Sequence, residues 1–261
     1  MENERMNPHA IARFLVTVTI LCGTAAAEAA PYRLEDGTGS AYPADTPRDA
    51  DSPQPGPRIE WSATYASRYS FQGLDYSEGR PVLQPQVTCG LNRFSLSVWG
   101  NLDQTRGELN EVDGTVQRDW GRGPLSGALG YVYLDYPNRP DWKSSQEVFA
   151  DLSLDAPLQP SVSVHWDVDQ GRGRYWAFGL GHELSGSKAS LGLTSKLYVH
   201  EHYYQMTGIS GLETGVGVTA AWGRFALQPS LTRLWSWENR DFRDAEATKP
   251  GWVLSLTVSP R

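Results

Sequence analysis

A two-residue alternation of apolar and polar side chains runs through most of the chain from Ile59 onward. It is clearest at the start, where Ile59, Trp61, Ala63 and Tyr65 alternate with polar or small residues. Successive side chains of a β-strand point to opposite faces of its sheet, so this period indicates strands with one apolar and one polar face. The first run continues to Phe71. It exceeds the roughly 5–6 residues of most soluble strands and suits the ~9–11 residues of a tilted transmembrane strand.

The same period recurs along the rest of the chain and predicts about 12 strands, an even number as in single-chain bacterial outer-membrane barrels. Between residues 125 and 136 both faces are apolar, and the pattern does not assign them. Tight links alternate with longer ones, which we place at 73–80, 137–144, 200–208 and 238–250. That rhythm is typical of barrels with short turns at one end and longer loops at the other.

The polar average of the chain, a mean hydropathy of −0.46, is compatible with a barrel because only one face of each strand must be apolar. A soluble β-sandwich also alternates and is the competing fold. The chain has 10 Trp and 12 Tyr, several of them near predicted strand ends, where aromatic girdles lie. A lipid-facing sheet must also close, since an open edge would leave backbone groups unsatisfied in hydrocarbon. We therefore predict an all-β fold, a transmembrane antiparallel up-and-down β-barrel.

The residues before the alternation divide into two segments. Two arginines precede an apolar stretch at 14–27 that ends in small residues, which is the pattern of a secretory signal peptide. The segment at 28–57 is rich in Pro and acidic residues and is expected to be a disordered tether. The predicted organisation is thus a signal peptide at 1–27, the tether at 28–57 and a barrel at 58–261, located in the outer membrane after cleavage of the signal peptide.

Four short motifs occur in order along the predicted barrel: 67–73 (SRYSFQG), 98–99 (VW), 130–138 (GYVYLDYPN) and 146–150 (QEVFA). Together they resemble the TorF-type porins, outer-membrane proteins of Gram-negative bacteria, over roughly residues 59–258. The resemblance implies a porin-like barrel without implying a substrate. Two features depart from that family: Gln72 stands where it usually has Arg, and the chain ends in Arg261 rather than an aromatic residue.

The polar face of the predicted strands supplies the candidate pore-lining residues. They are Glu60, Arg68, Glu111, Asp113, Glu147, Asp151, His165, Asp167, Lys196 and Glu213. Carboxylates outnumber bases in this set, which would make a lumen attractive to cations. We therefore predict a channel for passive diffusion of small solutes that prefers cations. A barrel of this size lies between side-chain-filled barrels of about 8 strands and wide pores of 16–18, so a narrow or largely closed lumen is the alternative.

Two other classes of function remain open. A non-conducting barrel could act as a structural or adhesin-like protein through its outer loops, of which the most charged lies at 237–246. An outer-membrane enzyme is disfavoured, because no Ser motif identifies a nucleophile, and His200 and His202 with no further ligand pattern are weak evidence for a metal site. We predict no catalytic residue, no metal and no other cofactor. The expected partners are outer-membrane lipid and small solutes, and not nucleic acid, since the net charge is −7.

Overall fold

The computed structural model describes residues 57–236 and 250–261, and all of its regular elements are β-strands. The predicted signal peptide, the tether up to residue 56 and the loop at 237–249 lie outside the described residues. Among the described residues, no helix is long and apolar enough to cross a membrane.

The strands of the described ranges follow one another along the chain. They are β1 (Arg58–Ala66), β2 (Ser70–Phe71), β3 (Leu74–Asp75), β4 (Val82–Leu91), β5 (Phe94–Asp103), β6 (Glu108–Arg122), β7 (Leu125–Asp135), β8 (Ser145–Leu154), β9 (Ser161–Asp167), β10 (Arg174–Ser185), β11 (Ala189–Tyr203), β12 (Met206–Trp222), β13 (Phe225–Ser236) and β14 (Gly251–Pro260).

All of these strands except β2 and β3 form one closed antiparallel barrel. Each barrel strand pairs with the next along the chain, and β1 completes the ring against β14, with Ala63 opposite Val258 and Ala66 opposite Ser255. Closure removes the unpaired backbone edges that an open sheet would expose. The prediction of an antiparallel up-and-down barrel of twelve strands is confirmed.

The two faces of each barrel strand differ in burial as the alternation predicts. In β14, Trp252 and Leu254 are exposed, whereas Val253 and Ser255 are buried. The buried face of a strand in a closed barrel faces the interior, so the exposed apolar residues form the outer surface. The structure also assigns β7, where the sequence pattern was ambiguous: Leu129 is on the outer face and Val132 faces inward.

The connections give the barrel two different ends. At one end, here called the turn end, short links lie at 92–93, 123–124, 155–160, 186–188 and 223–224. At the opposite end, the loop end, links lie at 67–81, 104–107, 136–144, 168–173 and 204–205, and the link after Ser236 runs to Pro250. The longer links predicted at 73–80 and 137–144 are confirmed, whereas the link predicted at 238–250 lies almost entirely outside the described residues.

The long link predicted at 200–208 is wrong, because β11 and β12 continue to Tyr203 and Met206. The polar run that suggested a loop in fact alternates as a strand does. His200 is buried inside, whereas Glu201 lies partly exposed and binds Arg174 of the neighbouring strand. A polar outer position is tolerated here because this part of the strand pair lies close to the loop end.

Candidate functional site: the barrel interior

The chain leaves the barrel wall after Ser67, one residue beyond the end of β1. The Ser67 backbone N–H donates to the carbonyl oxygen of Leu254 at 2.8 Å, and the Leu254 N–H donates to Ser67 Oγ at 3.0 Å. The predicted continuation of the first strand to Phe71 is therefore wrong, and Arg68 lies in the following loop rather than on a strand face. There its guanidinium binds the carboxylate of Asp75 at 3.1 Å. We call residues 67–81 the inserted loop.

The inserted loop contains the small hairpin of β2 and β3. Its two turn residues, Gln72 and Gly73, have φ values of 56° and 77°. Positive φ at both central residues is the signature of a type I′ turn, the tight turn that matches the twist of a hairpin. Gly73 meets this requirement without steric cost, whereas Gln72 adopts it as a non-glycine residue. The sequence thus encodes a hairpin tip within what its alternation suggested was the end of a strand.

The hairpin tip crosses the barrel mouth and binds the wall at β12. Ser210 Oγ donates to the carbonyl oxygen of Gln72 at 2.7 Å. Glu213 Oε1 accepts hydrogen bonds from Ser70 Oγ at 2.8 Å and from the Gly73 N–H at 3.2 Å. The Glu213 carboxylate of the wall therefore binds both the first arm and the turn of the hairpin.

A β-bulge in β12 shapes the surface that receives the tip. Tyr198 is opposite Gly211 and Val199 is opposite Ile209, so Ser210 is the additional residue. The bulge turns both Ser210 and Gly211 toward the interior, where both are buried. Contact with the hairpin is close: a Cβ atom placed on Gly73 would lie 2.9 Å from Gly211 Cα.

Aromatic side chains of the inserted loop fill the barrel mouth. Tyr69 packs against Trp99 of β5, with ring centroids 5.7 Å apart, and Phe71 packs edge-on against Tyr175 of β10 at 5.9 Å. Tyr76 contacts Trp142 of the 136–144 link at 6.0 Å. The same cluster includes buried side chains from several strands: Ala66, Val82, Leu234 and Val253. The inserted loop thus covers the interior at the loop end and contacts strands on different sides of the barrel.

Below this cover, Glu147 and His165 form a buried pair. His165 Nδ1 lies 3.1 Å from Glu147 Oε2, and the Tyr203 hydroxyl donates to Glu147 Oε1. The imidazole ring is stacked between Phe149 at 5.1 Å and Tyr175 at 4.5 Å between ring centroids. Two predicted site residues are therefore brought together and fixed by ring stacking.

Asp167 has a different environment and a structural role. Its Oδ2 accepts from Ser145 Oγ at 2.7 Å, and its Oδ1 accepts from the backbone N–H groups of Asp169 and Gly171 at 2.9 Å. A carboxylate that accepts several backbone N–H groups fixes the turn in which they lie. Asp167 thus orders the 168–173 link.

Glu111, Asp113 and Asp151 also face inward, from β6 and β8. Glu111 is buried, and one carboxylate oxygen each of Asp113 and Asp151 is buried without a hydrogen-bond partner among the described residues. Burial, and next the negative charges of Glu111 and Asp113, raise the pKa of Tyr69 in the inserted loop. The Tyr69 hydroxyl therefore stays protonated beside the carboxylates.

The remaining predicted residues, Lys196 and Glu60, lie farther from the loop end. Lys196 of β11 faces inward directly opposite Glu213 in the strand register. Glu60 of β1 lies 3.7 Å from Arg58. All predicted residues except Arg68 are thus on the interior face of a barrel strand. Glu60 is near the start of β1, at the turn end, and is therefore far from the group at the loop end.

Sequence reasoning missed several interior polar residues. Arg80, in the inserted loop, binds Asp103 at 2.8 Å and also binds Glu78. Asn101 accepts from Gln84 at 3.0 Å and donates to a neighbouring asparagine at 2.7 Å. Strand parity could have identified Asp103 and Asn101, since both share the polar face of β5 with Ser97.

Solvent reaches the interior differently at the two ends. Near the loop end, inward side chains such as Asn101, Asp167 and His200 are at most 1% exposed. Toward the turn end of β8 to β12, inward residues are partly exposed: Asp151, Ser153, Ser163, Glu183, Thr194, Lys196 and Thr219. In the described part of the chain, the lumen is therefore filled at the loop end and accessible from the turn end along β8 to β12. Inward residues near the turn end of other strands, such as Thr88, Gln117 and Gln228, are buried.

Within the described ranges, no group of three or more His, Cys, Asp or Glu side chains is placed to hold a metal ion.

Comparison with known proteins is informative at the level of structure. No protein-family model matches the chain, and no curated protein sequence matches it. The fold does match a solved structure of the NanC porin in a rhombohedral crystal form, with a TM-score of 0.52 over 78% of this chain and 99% of that chain. The chain has the fold of a porin barrel. At 11% sequence identity, this similarity concerns the transmembrane barrel architecture and no individual side chain.

Proposed function

We propose that the chain is an outer-membrane porin of the TorF type, exported by a cleaved signal peptide, that lets small solutes diffuse passively and prefers cations. The observation that carries this proposal is the closed barrel whose interior is polar, rich in carboxylates and accessible to solvent from the turn end along β8 to β12. The proposed partners are outer-membrane lipid and small solutes, and the proposal includes no catalytic step and no cofactor.

The outer surface supports placement in a membrane. Phe178, Leu180 and Leu184 on β10, and Leu254 on β14, are each between 46% and 61% exposed. Transfer of apolar area out of water is worth about 25 cal/mol per Å². A surface that presents such residues on successive outward positions of its strands is therefore stabilised by contact with lipid chains rather than water.

The charge of the interior supports a preference for cations. In the solvent-accessible part, Asp151 and Glu183 face the lumen together with Lys196. Deeper, the carboxyl groups of Glu111, Asp113 and Glu147 also line the interior. Carboxylates in a water-filled passage with low-dielectric walls raise the local concentration of cations and repel anions.

The inserted loop limits this proposed channel. It fills the loop end with aromatic side chains, so conduction requires either a narrow residual path or displacement of the hairpin. The same observation supports a second candidate, a non-conducting barrel with a structural or surface-binding role. The two differ in a single measurable property, which is ionic conductance.

Planar-bilayer recording of refolded protein tests the proposal. We expect discrete conductance steps and, in a KCl gradient, a reversal potential of the sign given by K⁺ selectivity. Lys196→Gln should shift that potential toward stronger cation selectivity and Asp151→Asn toward weaker, because each removes one charge from the same accessible region. A protein that folds but never conducts would favour the non-conducting barrel, and anion selectivity would contradict the proposed preference.

Two simpler measurements address location and folding. Cell fractionation should recover the protein with the outer membrane. Its migration on a gel should change on heating, as expected when a stable barrel unfolds. Release of fatty acid from phospholipid by the refolded protein would contradict the absence of enzymatic activity.

A further inference from the structure

A set of arginines lies at the turn end of the barrel. We define the turn-end arc as Arg93, Arg118, Arg122, Arg224 and Arg261. Arg93 and Arg224 belong to the 92–93 and 223–224 turns, Arg118 and Arg122 to the last part of β6, and Arg261 follows β14. The order of strands places them along one continuous part of the wall, from β12 through β14, β1 and β4 to β6.

Aromatic rings on the outer surface support two of these guanidinium groups. Arg118 lies over the ring of Phe94 at 5.8 Å, and Arg224 lies over the ring of Phe225 at 5.6 Å. Phe225 in turn contacts Trp61 edge-on at 6.2 Å. Phe94 is 56% exposed, and Arg118 shares the outward face of β6 with apolar residues. The guanidinium groups therefore lie at the edge of the apolar outer band, at the level of a girdle of aromatic residues.

Three arginines of the turn-end arc have no salt bridge to a carboxylate of the described ranges. Among the described residues, Arg118, Arg122 and Arg224 form no salt bridge, and the neighbouring carboxylates of Glu60 and Asp119 are on the interior face of their strands. At the loop end, Arg80 binds Glu78 and Asp103, and Arg174 binds Glu201, whereas Arg233 lies over the rings of Trp235 and Trp252 at 5.1 Å.

We infer that the turn-end arc is a binding surface for the phosphate groups of anionic phospholipids in the leaflet that surrounds this end. This inference rests on the membrane placement in the proposed function, and not on conduction. A guanidinium group presents several N–H donors in a planar fork that fits phosphate oxygens. Basic residues beside an apolar band are attracted to anionic headgroups over about one Debye length.

The geometry favours lipid over the other anionic candidate, the acidic segment that precedes β1. Arg118 and Arg224 lie over outward-facing rings that adjoin the lipid-facing band, whereas the lumen opens on the opposite face of the same strands. A phospholipid supplies both parts that this surface matches, a phosphate for the guanidinium groups and acyl chains for Phe94, Phe225 and Trp61.

The test measures lipid preference by tryptophan quenching. Refolded protein lacking residues 1–27 is placed in phosphatidylcholine vesicles that contain phosphatidylglycerol, with bromine on the acyl chains of one lipid or the other. The ratio of quenching by the two brominated lipids gives the relative association constant. We expect the unmodified barrel to favour phosphatidylglycerol, and the double variant Arg118→Gln/Arg224→Gln to lose roughly fivefold of that preference for each arginine removed.

A matched control removes two arginines from the other end. Arg106 and Arg139 lie in loop-end links, and Arg139 lies over the Trp142 ring at 5.6 Å. Arg106→Gln/Arg139→Gln therefore changes the total charge equally, and should leave the preference within about twofold of the unmodified protein. An equal loss in the control, or no loss in the test variant, would overturn the inference.

Two further measurements keep the outcomes distinct. If the double variant does not give a heat-modifiable barrel, raising NaCl from 50 to 500 mM must abolish the preference of the unmodified protein, because salt screens exposed charges; persistence at high salt rejects the inference. A preference that appears only after removal of residues 28–56 means that the acidic segment occupies the surface, which also rejects it. A barrel that prefers phosphatidylglycerol but does not conduct contradicts the proposed channel and leaves this surface established.

Discussion

Substitution of Gly73 by alanine tests whether the inserted loop restricts the proposed channel. Gly73 has a φ of 77° at the hairpin tip, and the added Cβ would lie 2.9 Å from Gly211 Cα and 3.2 Å from Gly211 N. Comfortable contacts between non-bonded carbon atoms are about 3.5–4.0 Å. Both partners are backbone atoms, so the tip must move away by about half an ångström or more.

The cost of this movement follows from the contacts at the tip. The Gly73 N–H donates to Glu213 at 3.2 Å, and a shift of that size lengthens the bond beyond hydrogen-bonding distance. Loss of a hydrogen bond to a charged acceptor costs about 1.5–3 kcal/mol. The left-handed backbone adds a penalty of about 1–2 kcal/mol for a residue with a Cβ. The bound state of the hairpin is thus destabilised by roughly 2.5–5 kcal/mol.

Gly79→Ala is the matched control for the backbone penalty. Gly79 lies in the same inserted loop with the same φ of 77°, but a Cβ there would have no heavy atom within 4 Å. The difference between the variants therefore isolates the contact with the wall. A difference of 1.5–3 kcal/mol changes the ratio of displaced to bound hairpin by roughly 10- to 150-fold.

Single-channel recording and swelling of protein-containing vesicles in a permeant solute provide the assay. We expect Gly73→Ala to increase open time or swelling rate well above both the unmodified protein and Gly79→Ala. Equal behaviour of the two variants, with both shown to be folded by heat-modifiable migration, would refute the conclusion that docking of the hairpin on β12 restricts passage.

Three further outcomes follow from other contacts. Trp99→Ala should lower the free energy of unfolding by about 3–5 kcal/mol in urea denaturation, because this side chain is 5% exposed and packs beneath the inserted loop. Tyr203→Phe should cost about 1–3 kcal/mol in the same assay, since it removes a donor to a buried carboxylate, whereas Tyr131→Phe, which removes an exposed hydrogen bond, should change little. The Arg80 hydrogen bond holds the pKa of Glu78 below its ordinary 4.5, so any stabilisation from this pair is present above that value and is lost as the pH falls through the lowered pKa. Arg80→Gln should raise the Glu78 pKa in an NMR titration, and an unchanged value would contradict the ion pair.

The barrel itself was predictable because its determinants are local. A period of two sorts side chains between lipid and lumen in each strand separately, so Glu147, His165 and Lys196 could be assigned to the interior without knowledge of their neighbours. The alternation of short and long links then implied up-and-down connectivity. Only β7, whose Val132 and Leu129 are both apolar, required the three-dimensional structure to distinguish inside from outside.

The same local alternation explains why the inserted loop was not predictable. The run from Ser67 to Phe71 continues the alternation of β1, because a hairpin arm that packs against a wall also needs side chains on two faces. What distinguishes it is the pair of contacts at Ser210 and Glu213, which are more than 130 residues away along the chain. The Gln72-Gly73 dipeptide was the one local signal of a tight turn, although Gln is uncommon at such a position.

The contact between Glu213 and the hairpin determines how much each predicted interior charge can contribute to attracting ions. Glu213 was assigned to the lumen by strand parity, as was Lys196 opposite it. In the structure, however, Glu213 Oε1 accepts hydrogen bonds from the hairpin, and Glu213 Oε2 accepts one from the Tyr198 hydroxyl at 3.3 Å. A carboxylate engaged in this way contributes less to attracting ions than one facing water, such as Asp151. Ion selectivity should therefore depend more strongly on Asp151 than on Glu213, whereas the opening of the mouth should depend more strongly on Glu213.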